Sequence, residues 1–262
     1  MKKKYSIAVI PDIGGGPWRY ERCKPWYPAN VLFNVVSIPG FGGVPANPEL
    51  NSIEAYASYI HQKIQKLPPP RFIFATGTGA SIALQIIQKT ERQPSGLILH
   101  APVWNRPIPQ PFPELIQKSW LRPLLRKVTV SRIFREQIRK RLFRQPVPDT
   151  FIHHFFEEYS RCEVFDQMFR LINPEWFNDL REVSIPSQIL WGGNEVKPSQ
   201  QHINAVRQKL PEAEVKYIKE WDYFPMIEQP RSFAAQLTKT IREMAADTKK
   251  QFKNTKERAY SE

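Results

Sequence analysis

The chain has 262 residues, 41% of them hydrophobic and 12% aromatic, enough apolar material for one globular domain with a sizeable core. Its formal net charge is +13, and its two cysteines, Cys23 and Cys162, are far apart with no CxxC pairing, which excludes a disulfide scaffold and implies reduced thiols in a cytoplasmic protein. No run reaches the ~20 apolar residues of a membrane span, and the short apolar run after Met1 and three lysines is expected to be a core strand rather than a leader.

In chain order, the pattern predicts strands over Tyr5–Ile10 and Val31–Ile38, a helix over Ser52–Lys66, and a strand over Arg71–Ala75. A turn of small residues follows. Gly79–Lys89 then reads as a helix with apolar residues at 82, 83, 86 and 87, and Ser95–His100 as a strand. Strands alternating with helices imply a parallel sheet covered on both faces. Prolines 102, 107, 109, 111 and 113 punctuate the next stretch and open an insertion. The alternation resumes with Ile185–Trp191, a helix over Gln200–Leu210, a strand over Glu214–Ile218 and a helix over Ser232–Met244. Residues 245–262 carry little apolar content and are expected to fray or to continue as a solvated helix.

Charge is uneven. Residues 105–145 hold eleven Lys or Arg against two Glu, whereas residues 146–182 hold three Arg against eight acids. The stretch Trp120–Arg144 has apolar residues at 130, 133, 134, 138, 142 and 143, which predicts a basic amphipathic helix. Its charged face either solvates the helix or meets an anionic membrane surface or an acidic protein, through Arg135, Arg139, Lys140 and Arg141. Nucleic acid is disfavoured as a partner, because no reading motif or aromatic platform accompanies the charge. The five histidines show no metal-ligand spacing, so neither a metal nor a cofactor is expected; His100 reads as a hydrogen-bonded core residue.

Five segments, in order, carry a resemblance. Arg71-Phe-Ile-Phe-Ala-Thr-Gly-Thr-Gly-Ala-Ser81 has the shape of a nucleophile elbow, the strand-to-helix turn Gly-x-Ser-x-Gly. Pro11-Asp-Ile-Gly-Gly-Gly-Pro-Trp18 stands where a His-Gly-x-Gly-Gly loop would be. Val31–Val44 resembles a strand ending in Asp-x-x-Gly-x-Gly, with Ser37 for the Asp. Ile185–Glu195 resembles a strand delivering an acid, and Trp221-Asp-Tyr-Phe-Pro-Met-Ile-Glu-Gln-Pro230 matches Gly-His-Phe-Pro-Met-x-Glu-x-Pro. The chain thus resembles the α/β-hydrolase fold family, in its esterase-like and lyase-like members. That implies an α/β architecture: a mainly parallel, doubly wound sheet with a helical cap insertion. The core would span 1–104 and 183–244, the cap 105–182 and the charged tail 245–262.

The resemblance places the triad Ser, Asp, His at Gly77, Glu195 and Tyr223. Glycine has no nucleophile, and a phenol with a pKa near ~10 is no resting base at neutral pH. Serine-type hydrolysis is therefore not expected. The resemblance also implies two oxyanion donors, the backbone N–H groups of Ile13 and Thr78, which could hold a small carbonyl or carboxylate ligand beside Trp18. Three functions stay open: binding of a ligand or partner without hydrolysis; a lyase, isomerase or cyclase using Glu195, Tyr223 or Asp222; and a hydrolase with its nucleophile moved to Thr78 or Ser81.

Overall fold

The structure is a computed structural model describing residues 5–90, 92–102, 131, 136, 139–140, 142–164, 167–168, 171–172, 174–193 and 200–259. Glu195, Arg135 and Arg141 lie outside the described residues. Among the described residues six strands form one sheet: β1 (Tyr5–Ile10), β2 (Val31–Val35), β3 (Arg71–Thr76), β4 (Gly96–His100), β5 (Ser187–Gly192) and β6 (Ala213–Ile218). Their order is β2-β1-β3-β4-β5-β6, and every neighbouring pair is parallel. The expected doubly wound parallel sheet is what the chain forms.

Period-two alternation explains why both faces are covered. Ala8, Ile10, Ile73, Ala75, Leu97, Leu99, Ile189 and Trp191 enter one buried cluster, with α1 (Ile53–Gln65) and α2 (Thr78–Lys89). Ile7, Val9, Phe72, Phe74, Ile98 and Leu190 point the other way. They meet a 3-10 helix (Pro17–Trp26) and the final helix, whose Phe233, Leu237 and Ile241 are buried. Helix α1 begins where sequence rules place it. The Ser52 side chain accepts from Ala55 N, and Ile53, Tyr56, Ala57, Ile60 and Ile64 form its buried stripe.

The other helices among the described residues are α3 (Asp149–Ser160), α4 (Pro174–Asp179), α5 (Gln200–Lys209), α6 (Pro225–Glu228) and α7 (Pro230–Ala259). One strand ends three residues short of expectation, and the C-terminal stretch takes the second of its two expected courses. Strand β2 stops at Val35 rather than Ile38, because the chain turns through Pro39 and Gly40, the latter at φ +85°. Helix α7 runs on to Ala259: residues 245–259 are polar but rich in Ala, Lys, Gln, Glu and Arg, all good helix formers. Among the described residues no helix is long and apolar enough to cross a membrane.

Candidate functional site: a filled elbow

The turn between β3 and α2 has the elbow geometry. Gly77 sits at φ 55°, ψ −123°, a conformation that strains any residue with a Cβ. Its N–H donates to the His100 carbonyl (3.1 Å), which ties the turn to β4. Gly79 lets α2 start close against β1, since a Cβ there would lie 2.5 Å from the Pro11 carbonyl oxygen. The loop after β1 is thereby pressed against the elbow.

Asp12, on that loop, occupies the space over the apex. A Cβ added to Gly77 would fall 2.2 Å from Asp12 Cγ and Oδ1. Oδ1 accepts from Thr78 N (2.8 Å), Ile13 N (2.8 Å) and Thr78 Oγ1 (3.0 Å), and Oδ2 accepts from the Tyr223 hydroxyl (3.3 Å). The carboxylate is buried, and these donors meet the requirement that a buried charge be paired or hydrogen-bonded. The Ile13 N–H is shared with Thr78 Oγ1 (2.8 Å).

This corrects one expectation. Ile13 and Thr78 were to offer free donors to a carbonyl or carboxylate ligand, and both are taken by the chain's own carboxylate. Of the triad-equivalent positions, Gly77 and Tyr223 meet at Asp12. Thr78 Oγ1 is committed to Asp12 and to Ile13 N, and Ser81 is buried within α2, so neither is presented as a relocated nucleophile. His100 is a core residue: its Nδ1 lies 3.1 Å from Thr76 Oγ1, and its ring stacks on Phe74 and meets Trp221 edge-on.

A second buried charge stands beside the first. Arg19, from the 3-10 helix, donates through Nε to Glu158 Oε2 on α3 (2.9 Å), with both side chains almost fully buried. Its guanidinium lies 4.7 Å from the Tyr159 ring centroid, 4.8 Å from Phe155 and 5.8 Å from Phe224. Helical spacing puts Phe155, Glu158 and Tyr159 on one face of α3, so one helix supplies the counter-ion and two of the rings. Burial alone would lower the Arg19 pKa. Tyr159, Glu158 and Asp12, together with the hydrogen bond to Glu158, outweigh it and hold the guanidinium above its usual range. Burial pushes the Tyr159 phenol up, against the pull of Arg19. Trp18 packs against Phe151 and His154 of α3, each at 4.2 Å between centroids. On the expected basic face, Arg139 pairs with Glu136 (3.3 Å) and Asp149 (3.1 Å), and Lys140 is exposed.

Sequence reasoning passed over Asp12 as a ligand of the elbow, and it missed Arg19, Glu158 and Glu228 entirely. Glu228, at the end of α6, accepts through Oε2 from the backbone N–H groups of Arg144 and Gln145, both at 2.9 Å. Burial, aided by Asp222, raises its pKa from 4.5 to about 7, against the two backbone donors and Arg144. A raised carboxyl contributes stability below its unfolded pKa and loses it as pH climbs through the folded one. Stability should therefore fall between pH 4.5 and about 7 and then level off. Thermal melts across that range should show the slope in the wild type and a flatter profile in Glu228→Gln. Equal slopes would remove Glu228 as the cause.

No protein-family model and no curated protein sequence matches the chain. Solved structures do. A potato epoxide hydrolase variant superposes with a TM-score of 0.72 at 12% identity, covering 93% of this chain and 94% of that one. An esterase from Exiguobacterium antarcticum gives 0.70 at 14%, covering 92% and 93%. N-formylmaleamic acid deformylase from Pseudomonas putida S16 gives 0.67 at 16%, covering 90% and 92%. At such identities the likeness speaks for the fold alone. With its six parallel strands and an elbow after the central β3, the chain has the α/β-hydrolase fold.

Proposed function

We propose that this chain is a catalytically silent member of its fold, acting by binding a partner rather than by serine-type hydrolysis. The observation that carries the reading is the Asp12 carboxylate seated over Gly77 and on the N–H groups of Ile13 and Thr78. Hydrolysis of an acyl substrate needs a nucleophile at the apex and donors for the developing oxyanion. Here glycine removes the first, and an intramolecular carboxylate saturates the second. The basic stretch within 105–145 remains our candidate for the contact with an acidic partner.

The test is covalent labelling by a serine-directed phosphonate, with p-nitrophenyl ester turnover measured alongside. We expect neither above the buffer rate. Stoichiometric labelling at Thr78 or Ser81 would overturn the reading. A second reading, a non-hydrolytic enzyme moving a proton through Asp12 and Tyr223, is favoured by their hydrogen bond alone. It requires turnover of some substrate that disappears in Tyr223→Phe.

A further inference from the structure

The sheet ends in two unlike edges. Strand β6 carries Glu214 and Lys216, and Lys216 Nζ reaches Glu214 (3.0 Å) and Glu243 (3.5 Å). Charges of this kind discourage another strand from pairing there. Strand β2, Val-Leu-Phe-Asn-Val, has no charge and no proline. Its open side can be read from the ladder. Val36 N donates to the Val9 carbonyl, so the even-numbered residues 32 and 34 turn their peptide groups toward β1. Phe33 and Val35 turn theirs outward, toward no other strand among the described residues.

The absence of charge extends well past the strand. Residues 25–53 include a single charged side chain, Glu49, in a chain where Lys, Arg, Asp and Glu make up 24%. Trp26, 47% exposed, stands at the start of this stretch, and the adjacent Tyr27 stacks on Phe33 at 4.1 Å. Loss of charge together with exposed aromatic surface is the compositional mark of an interface core.

We infer that β2 is the pairing edge of a homodimer, two copies joining antiparallel through β2 to make one continuous sheet. A second copy fits better than a foreign strand for two reasons. An antiparallel strand edge is self-complementary under a twofold axis. Copies that each carry a net +13 repel on average, least where charge is missing, and an uncharged edge offers nothing to select a charged partner.

Sedimentation velocity on the full chain, from low to high micromolar concentration, tests this. The wild type should pass from 30.7 kDa to twice that mass. Asn34→Lys, at an exposed position, sets like charges face to face across the axis and should weaken association at least about tenfold. Val35→Pro removes an outward N–H and should act the same way. Circular dichroism checks the fold of each, and Asn34→Lys decides alone if Val35→Pro does not fold. Hydrogen exchange at the Phe33 and Val35 amides should slow with concentration in the wild type only. A wild type that stays at 30.7 kDa throughout, or a folded Asn34→Lys that associates equally well, would overturn the inference.

Discussion

Gly77→Ser, the substitution that would restore a serine to the elbow, should destabilise the protein by about 3 kcal/mol or more. Two costs combine. Any Cβ at φ 55°, ψ −123° is strained, by about 1–3 kcal/mol. The new Cβ would also fall 2.2 Å from Asp12 Cγ and Oδ1, so the carboxylate must leave its donors while still buried. Asp12→Gly should relieve the second cost. By itself it leaves the Thr78 N–H unmet, at about 1–3 kcal/mol, while Ile13 N keeps Thr78 Oγ1. The double variant should thus be more stable than the two single losses predict, with a coupling of about 2 kcal/mol by urea denaturation. Additive losses would mean that the carboxylate does not sit over the apex.

The second large effect belongs to Arg19 and Glu158. Removing one partner of a buried pair leaves an uncompensated charge, at about 3–5 kcal/mol. Glu158→Gln should lie near the lower figure. Arg19→Met should cost more, because Arg19 also faces Asp12 and is packed among Phe155, Tyr159 and Phe224. With Glu158→Leu added, Arg19→Met should recover part of its loss, since an apolar pair of similar volume avoids the desolvation of both ions. Denaturation midpoints of the wild type, Arg19→Met, Glu158→Leu and the double variant give the cycle. Independent losses, within about 0.5 kcal/mol of additivity, would show that the pair does not clasp α3 to the 3-10 helix.

These two clusters also show where sequence reasoning stopped. The strands were legible because their apolar runs serve a sheet buried on both faces, and Gly77 and Tyr223 were legible by their place in ordered motifs. Asp12 was visible as a departure at a position where the family has glycine, but its consequence depends on which way a side chain turns. Oδ1 reaches Thr78, 66 residues away, and Oδ2 reaches Tyr223, 211 residues away. No local period encodes such a contact. Arg19 and Glu158, 139 residues apart, gave still less signal: one arginine among aromatics, and one glutamate in a helix whose other acids, Asp149 and Glu157, are exposed or half-buried. The burial that makes both clusters costly to break is a tertiary property, set by how α3 lies against the first loop.

The central claim is that the chain's own carboxylate fills the oxyanion site, and amide NMR of Thr78 and Ile13 during a formate titration tests it most directly. Wild-type protein should show no saturable shift at either amide, because Asp12 Oδ1 already accepts from both. Asp12→Ala should gain a saturable shift, largest at Thr78, as formate enters the vacated position. A wild-type Thr78 amide that titrates with the same midpoint as the variant would contradict the account.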